Sequence, residues 1–191
     1  MNILLLGPQG SGKGTQAKRI EAEYGLPHIS TGEMFRAAIA RRTPLGLQVE
    51  PILASGALVP DELTIGLIRE RLAEEDAKDG FVLDGFPRNQ AQAEALDALL
   101  AEIGRPLDVV FEFQLAEGVC IERLLKRARD EGRADDTPEV IARRLEIYHR
   151  ETAPLVEHYR TSGRLVGIHA DRDVGAVWAE IQTALDQAEA A

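Results

Sequence analysis

The sequence predicts an α/β protein in which a parallel sheet of five strands is covered by helices on both faces. Short apolar segments alternate with helical segments along the chain, which is the pattern of such a sheet. The first of them, Ile3 to Leu6, is too short for a buried helix and fits a buried strand. It leads into a glycine-rich segment, Gly7 to Thr15, and then into a helix over 16–24 that ends at Gly25. Strand, glycine-rich turn and helix in this order are the setting that a phosphate-binding loop requires.

The remaining elements follow from apolar spacing and from start and stop signals. Further strands are predicted over 27–30, 81–83, 107–113 and 165–168. Helices are predicted over 34–41, 45–55, 89–103, 117–129 and 174–185, and another begins at Pro60. A further helix begins at Pro138 with Thr137 as its N-cap, and Pro154 should interrupt it. Trp178 lies on the apolar face of the last helix and is predicted to be core. Crossovers should be right-handed, and ligands should bind at the carboxyl ends of the strands.

Composition limits the classes of function. The 191 residues fit one domain, and the net charge of −10 disfavours nucleic acid or an anionic membrane surface as partner. No apolar stretch approaches the ~20 residues that cross a bilayer, and Met1 leads almost directly into the first strand, which leaves no room for a signal peptide. Cys120 is the only cysteine, so an internal disulfide and a thiolate-rich zinc site are excluded. The expected compartment is the cytoplasm.

The glycine-rich segment predicts a nucleoside triphosphate site. Its glycines let backbone N–H groups turn inward, the helix N-terminus adds partial positive charge, and Lys13 supplies a full charge to the β- and γ-phosphates. Gly14 follows the lysine where a hydroxyl is usual, which leaves open whether Thr15 contacts magnesium. Asp84 comes just after a strand, where a carboxylate can hold magnesium, most simply through water.

Arginines suggest a second anionic substrate. Only four of the 22 basic residues are lysine, a bias that the source genome largely explains. The arginines at informative positions are Arg36, Arg88, Arg127, Arg133 and Arg144. Planar guanidinium groups can clamp two polyanions that would otherwise repel each other. A phosphate acceptor is already ionised and needs no base, which agrees with four histidines that share no motif; positioning and charge neutralisation would carry the catalysis.

Five motifs together resemble the adenylate kinase family, in order along nearly the whole chain. They are Gly7 to Thr15, Ser30 to Arg36, Leu58 to Glu62, Asp84 to Arg88 and Gly132 to Asp136. The resemblance implies reversible, magnesium-dependent phosphoryl transfer from ATP to AMP by a monomer, giving two ADP. It also implies a core of residues 1–29, 60–125 and 137–191, a nucleoside monophosphate region at 30–59 and a lid at 126–136. That lid is short, and with one cysteine in the chain it cannot carry the zinc that some longer lids hold.

The same resemblance assigns roles to individual residues. ATP would be bound by Gly10, Ser11, Gly12, Lys13, Gly14, Thr15, Arg123 and Arg127, and by the backbone of Arg172. AMP would be bound by Thr31, Arg36, Ala57, Leu58, Val59, Gly85, Phe86, Pro87, Arg88, Gln92, Arg133 and Arg144. The catalytic set would be Lys13, Arg88, Arg127, Arg133 and Arg144, with Asp135 and Asp136 orienting arginines.

Two other functions remain open at this point. A kinase for UMP or CMP shares the short lid and Asn89-Gln90, but Gln92 favours adenine because an amide can donate and accept along adenine's Watson–Crick edge. A nucleotide-binding switch without turnover needs only one nucleotide site, so the full arginine set disfavours it. Gln9, where the family often has proline, leaves the glycines intact.

Overall fold

Five parallel strands form one sheet at the centre of the chain. They are β1 (Asn2–Leu6), β2 (His28–Ser30), β3 (Phe81–Asp84), β4 (Val109–Gln114) and β5 (Leu165–His169), and they lie in the order β2-β3-β1-β4-β5. In the central strand β1, Leu4 is paired with Leu83 of β3 on one side and with Val110 of β4 on the other. This is a computed structural model that describes residues 1–133 and 136–189. It confirms the predicted fold class and all five strands, with ends that differ by one or two residues.

Helices cover both faces of the sheet. They are α1 (Lys13–Tyr24), α2 (Thr31–Ala40), α3 (Pro44–Ala54), α4 (Asp61–Leu72), α5 (Gln90–Glu102), α6 (Glu117–Glu131), α7 (Pro138–Ile147), α8 (Leu155–Arg160) and α9 (Val174–Glu189). A 3₁₀ turn spans Glu75–Ala77 and a π-helical turn spans Tyr148–Thr152.

Alternation along the strands divides the core into two clusters. Leu4 and Leu83 pack with residues of α4, α5 and α8 on one face, and Ile3 packs with residues of α1 and α9 on the other. Successive strand side chains point to opposite faces, so a buried parallel strand must be apolar throughout. Trp178 is 7% exposed in the second cluster, which confirms its predicted place in the core.

Two helices begin earlier than predicted. α1 starts at Lys13, because the glycine-rich loop passes directly into the helix at Gly12. α2 starts at Thr31, because the Ser30 hydroxyl accepts a hydrogen bond from the Glu33 N–H at 3.3 Å and so caps the helix there. Both helix N-termini therefore lie directly at the carboxyl ends of strands β1 and β2, where a ligand is expected.

The predicted interruption near Pro154 is present, but it begins six residues earlier. A π-helical turn runs from Tyr148, and the Ala153 N–H donates to the Tyr148 carbonyl at 2.8 Å. Proline has no N–H and its ring crowds the carbonyl four residues before it, so the preceding turn widens. Tyr148 and Thr152, the two ends of this turn, both line the largest described hollow at the sheet's edge with residues of β3 and α1.

Two smaller clusters flank the core. Phe35, Val49 and Val59 hold α2 and α3 together, and a Cβ atom at Gly46 would lie 2.1 Å from the Ala38 carbonyl oxygen, so only glycine permits this approach. Cys120 is buried in a cluster between α6 and α7. Across the two described ranges, no helix combines the length and the apolar character needed to span a membrane.

Candidate active site

The glycine-rich loop lies between β1 and α1 and packs tightly against its neighbours. Gly10 and Gly12 have φ angles of +81° and +93°, which favour glycine. A Cβ atom at Gly10 would also lie 2.7 Å from the Cys120 carbonyl oxygen of α6. The loop is therefore held in one shape, with its backbone at the N-terminus of α1, where partial positive charge favours an anion.

Lys13 folds back over this loop. Its ammonium group donates to the carbonyl oxygens of Gly7 at 2.7 Å and Pro8 at 2.8 Å, and to the Ser11 hydroxyl at 3.3 Å. Burial lowers the pKa of Lys13 to about 8, although the nearby Asp84 charge opposes the shift. Neutral carbonyls compensate poorly for lost hydration, so an anion placed beside this ammonium would be bound strongly.

Asp84 ends β3, the strand next to β1, and so faces the loop. Its Oδ2 atom lies 3.7 Å from the position that a Cβ atom at Gly14 would take, and 3.3 Å from His28 Nε2. Burial by itself would raise the pKa of Asp84, but the His28 hydrogen bond and the Lys13 charge outweigh it and lower the pKa. The carboxylate is therefore ionised beside the phosphate loop.

Arginines gather across the cleft from the loop. Arg88 Nε donates to the Gly85 carbonyl at 2.8 Å, and the Thr31 hydroxyl donates to the same oxygen at 2.8 Å. Burial lowers the pKa of Arg88, and the charges of Arg144 and Arg36 lower it further against the opposing effect of Asp84. Three guanidinium groups close enough to repel one another form a site that an anion stabilises.

Gln92 lies beyond these arginines, at the start of α5, and is 1% exposed. Its Oε1 accepts from the Arg88 backbone N–H at 2.8 Å, and its Nε2 donates to Asp61 Oδ1 at 2.8 Å. The Thr152 hydroxyl donates to the Arg88 carbonyl at 2.6 Å. The backbone of Arg88 is thus fixed from both sides.

A buried carboxylate organises the arginines near the predicted lid. Asp136, whose side chain is fully buried, accepts from Arg127 Nε at 2.8 Å and Nη2 at 2.9 Å, and from Arg144 Nη1 at 2.9 Å. Arg133 Nε instead donates to Glu131 at 2.6 Å. The role predicted for Asp135 falls on a residue that lies outside the described ranges.

One cleft of about 420 Å³ joins these groups. Of the residues predicted to bind nucleotide or magnesium or to act in catalysis, all except Ser11, Phe86 and Arg172 line it, and Asp136, predicted to orient arginines, does not. Ser11 is a buried residue of the loop itself, Phe86 is buried in the core, and the Arg172 guanidinium pairs with Glu180. Arg123 lines the cleft and donates to the Ala170 carbonyl at 2.9 Å, which joins α6 to the end of β5.

Other residues of this site were not predicted from the sequence. Asp61 was given no role of its own, although it holds the amide of Gln92. Thr152 and Tyr148 reach the cleft through the π-helical turn. Pro154 predicted an interruption of this helix but did not indicate which side chains it would bring to the cleft. Asp61 stands in the segment Leu58 to Glu62, so its motif was the one signal that could have pointed to it.

Metal ligands are few. Among residues 1–133 and 136–189, no cluster of three or more His, Cys, Asp or Glu side chains is arranged to hold a metal ion. Asp84 offers one ionised carboxylate beside the phosphate loop. That arrangement suits Mg²⁺, which usually binds through one or two carboxylates together with substrate phosphates and water.

Comparison with known proteins agrees with this geometry. Residues 5–164 match the family described as adenylate kinase. An adenylate kinase of Cyanothece sp. is 52% identical over 97% of this chain and 95% of its own length. Adenylate kinases of Methylorubrum populi and Bifidobacterium longum are each 47% identical over 97% of this chain, covering 96% and 100% of their own lengths.

Proposed function

Because this chain belongs to the adenylate kinase family, we propose that its cleft transfers a phosphoryl group reversibly from magnesium ATP to AMP, giving two ADP. The observation that carries the proposal is the opposition of two anion sites in one cleft. The phosphate loop with Lys13 forms one side, and Arg36 and Arg88 form the other. A hydrolase or switch needs only the first side, whereas a phosphotransferase needs both.

The transfer is in line and forms no covalent enzyme intermediate. An oxygen of the AMP phosphate attacks the γ-phosphorus of ATP, and the β-phosphate oxygen leaves as part of ADP. The attacking oxygen is already ionised, so no base has to remove a proton, and no histidine lines the described part of the cleft. Rate acceleration comes from alignment of the two nucleotides and from cations placed around the transferring group.

On the donor side, the backbone N–H groups of Gly10 to Thr15 surround the ATP phosphates. The Lys13 ammonium exchanges its carbonyl partners for the β- and γ-phosphates. Arg123 and Arg127 come from α6, which packs against the loop. Arg123 already bridges to Ala170, at the end of β5, which supports a place for the donor base near the loop that contains Arg172. Only the backbone of Arg172 is assigned to that base, since its side chain pairs with Glu180.

On the acceptor side, AMP lies between α2 and α5. Thr31, Arg36 and Arg88 bind its phosphate, and the amide of Gln92 pairs with the adenine edge. The backbone of Ala57 to Val59 and of Gly85 to Pro87 encloses the nucleotide. Arg133 and Arg144 act on the phosphoryl group in flight, where the planar fork of arginine matches several phosphate oxygens at once.

Asp84 would hold the magnesium ion that accompanies ATP, most simply through a bound water molecule. When bound, the ion neutralises charge on the β- and γ-phosphates. The low pKa of Asp84 supports this assignment, because an ionised carboxylate is needed and His28 and Lys13 keep it ionised. Thr15 lines the same part of the cleft, one residue beyond Gly14, and is a second candidate for contact with the ion.

Two segments move during the cycle. Residues 30–59 close over AMP and residues 126–136 close over the phosphates, while 1–29, 60–125 and 137–191 form the fixed core. The separate apolar cluster of Phe35, Val49 and Val59 supports the first segment as a unit, because its packing is mostly its own. Closure excludes water that would otherwise hydrolyse ATP. One chain supplies both sides of the cleft, so a monomer is sufficient for this function.

A coupled assay of ADP formation tests this function. Magnesium ATP is offered with AMP, GMP, CMP or UMP, and AMP is expected to be used best. Preference for UMP or CMP would show a pyrimidine nucleotide kinase, and ATP binding without transfer would show a switch. Lys13→Met is the matched control: it should abolish single-turnover transfer while its circular dichroism spectrum stays that of the parent.

A further inference from the structure

The orientation of the Gln92 amide is imposed by two neighbours of opposite polarity. The Arg88 backbone N–H can only donate, so it faces Oε1 at 2.8 Å. The Asp61 carboxylate can only accept, so it faces Nε2 at 2.8 Å. Turning the amide over would place donor against donor and acceptor against acceptor in a site where Gln92 is 1% exposed. Unpaired polar groups are costly when buried, so one orientation is enforced.

Asp61 is itself held in place. Asn89 Nδ2 donates to the same Oδ1 atom at 2.9 Å, and Asn89 Oδ1 caps α5 by accepting from the Gln92 N–H at 2.9 Å. Asp61 lies in the first turn of α4, directly after Pro60. The carboxylate thus connects the starts of two helices and has little freedom to rotate away.

The enforced orientation has a direct chemical consequence. An amide has two N–H groups and two acceptor positions on its oxygen, and each neighbour uses one. Gln92 therefore keeps one acceptor position on Oε1 and one N–H on Nε2. Adenine presents an amino group at C6 and an acceptor at N1, which complement that pair. A 6-oxopurine presents an oxygen at C6 and an N–H at N1, and complements the amide only if it is turned over.

We propose that Asp61 is a positioning residue that selects adenine over 6-oxopurine nucleotides by fixing the orientation of the Gln92 amide. The proposal rests on the proposed function, since it assumes that AMP occupies the side of the cleft containing Gln92. Asp61 acts only through Gln92 and touches no reacting atom. Its effect should therefore be on acceptor recognition and not on the transfer step.

The test is steady-state kinetics of Asp61→Ala with magnesium ATP and either AMP or IMP. Loss of one orienting hydrogen bond should raise the KM for AMP about tenfold and lower the AMP-to-IMP ratio of kcat/KM by about tenfold. The KM for ATP and the kcat at saturating AMP should remain within threefold of the parent, because the phosphate loop and the arginines are unchanged.

Two further variants separate an acceptor role from a charge role. Asp61→Asn keeps an oxygen that can accept both bonds now made to Oδ1, and should keep the parental AMP-to-IMP ratio within threefold. Glu62→Ala removes the same charge from the exposed neighbouring position in the first turn of α4, and should leave the kinetics with AMP and with IMP unchanged. Thermal unfolding reports the fold of each variant, and Asp61→Leu replaces Asp61→Ala if the smaller side chain prevents folding.

The outcomes are distinct. The proposal would be overturned if a folded Asp61→Ala or Asp61→Leu variant kept the parental KM for AMP and the parental AMP-to-IMP ratio of kcat/KM. The amide of Gln92 would then need no partner at this position. Equal losses in Asp61→Asn and Glu62→Ala would overturn it too, since helix charge would explain them. A parent enzyme that transfers nothing to AMP would refute the proposed function itself and this inference with it.

Discussion

Proton uptake on ATP binding should reveal the contact between Lys13 and phosphate. In the free protein, burial against neutral carbonyls lowers the pKa of Lys13 to about 8, from 10.5. Phosphates placed beside the ammonium group favour its charged form and raise the pKa again. Binding at a pH above the free value must therefore draw a proton from solution.

The size of the effect follows from the two titrations. With a pKa of about 8, roughly a quarter of the free protein keeps the Lys13 proton at about pH 8.5, and about nine-tenths keeps it at about pH 7. If the bound form is fully protonated, uptake is about 0.75 protons per ATP at the higher pH and about 0.1 at the lower. The sign also applies to folding: between about pH 8 and 10.5 the unfolded chain binds more protons, so the stability of the free protein gains from this group as pH rises.

Isothermal titration calorimetry in buffers of different ionisation enthalpy measures the uptake directly. Excess magnesium keeps the ATP phosphates ionised at both pH values, so their own titration does not interfere. Lys13→Arg is the matched control, because a guanidinium group stays charged throughout this range and should show no pH-dependent uptake. Equal uptake by the parent and by Lys13→Arg at the higher pH would refute the reasoning, as would no uptake by the parent.

Three further predictions concern the acceptor side and the arginines. In steady-state kinetics, Gln92→Leu should raise the KM for AMP about ten- to a hundredfold and change the KM for ATP little. If the KM for ATP rose instead, the two nucleotide sites would be reversed. Arg144→Lys keeps the charge but loses the planar fork, so kcat should fall about a hundredfold with modest changes in either KM; a kcat within twofold of the parent would leave Arg144 a surface residue. Asp136→Asn removes the charge that two arginines share and should lower the free energy of unfolding by about 2–4 kcal/mol in urea titrations, whereas an unchanged midpoint would show that the pairs contribute nothing.

The sequence predicted the elements of the fold well because the signals for them are local. A strand such as Ile3 to Leu6 is apolar throughout, and a helix such as α7 begins with Thr137 and Pro138, which act at adjacent positions. The Thr137 hydroxyl does accept from the Val140 N–H at 3.3 Å. The start of α2 was placed three residues late, because a capping serine can precede a helix directly and the glycine that follows Thr31 obscured its first turn.

The site was predicted less completely because its supporting contacts join distant parts of the chain. Asp61 and Gln92 are 31 positions apart, and Thr152 is 64 positions from the Arg88 carbonyl that it binds. Neither contact follows from spacing. Thr152 also depends on the π-helical turn, whose geometry arises where a proline meets an otherwise continuous helix.

Net charge and site charge have opposite signs in this protein, and buried carboxylates explain how both are maintained. The chain carries −10 overall, yet arginines line the cleft. Asp136 pairs with both Arg127 and Arg144 and offsets part of their charge, while Asp84 partly offsets the charges of Lys13 and Arg88. Both acids thus contact or lie near cations that line the cleft. The protein itself therefore orients these cations before substrate arrives, which is what electrostatic catalysis requires.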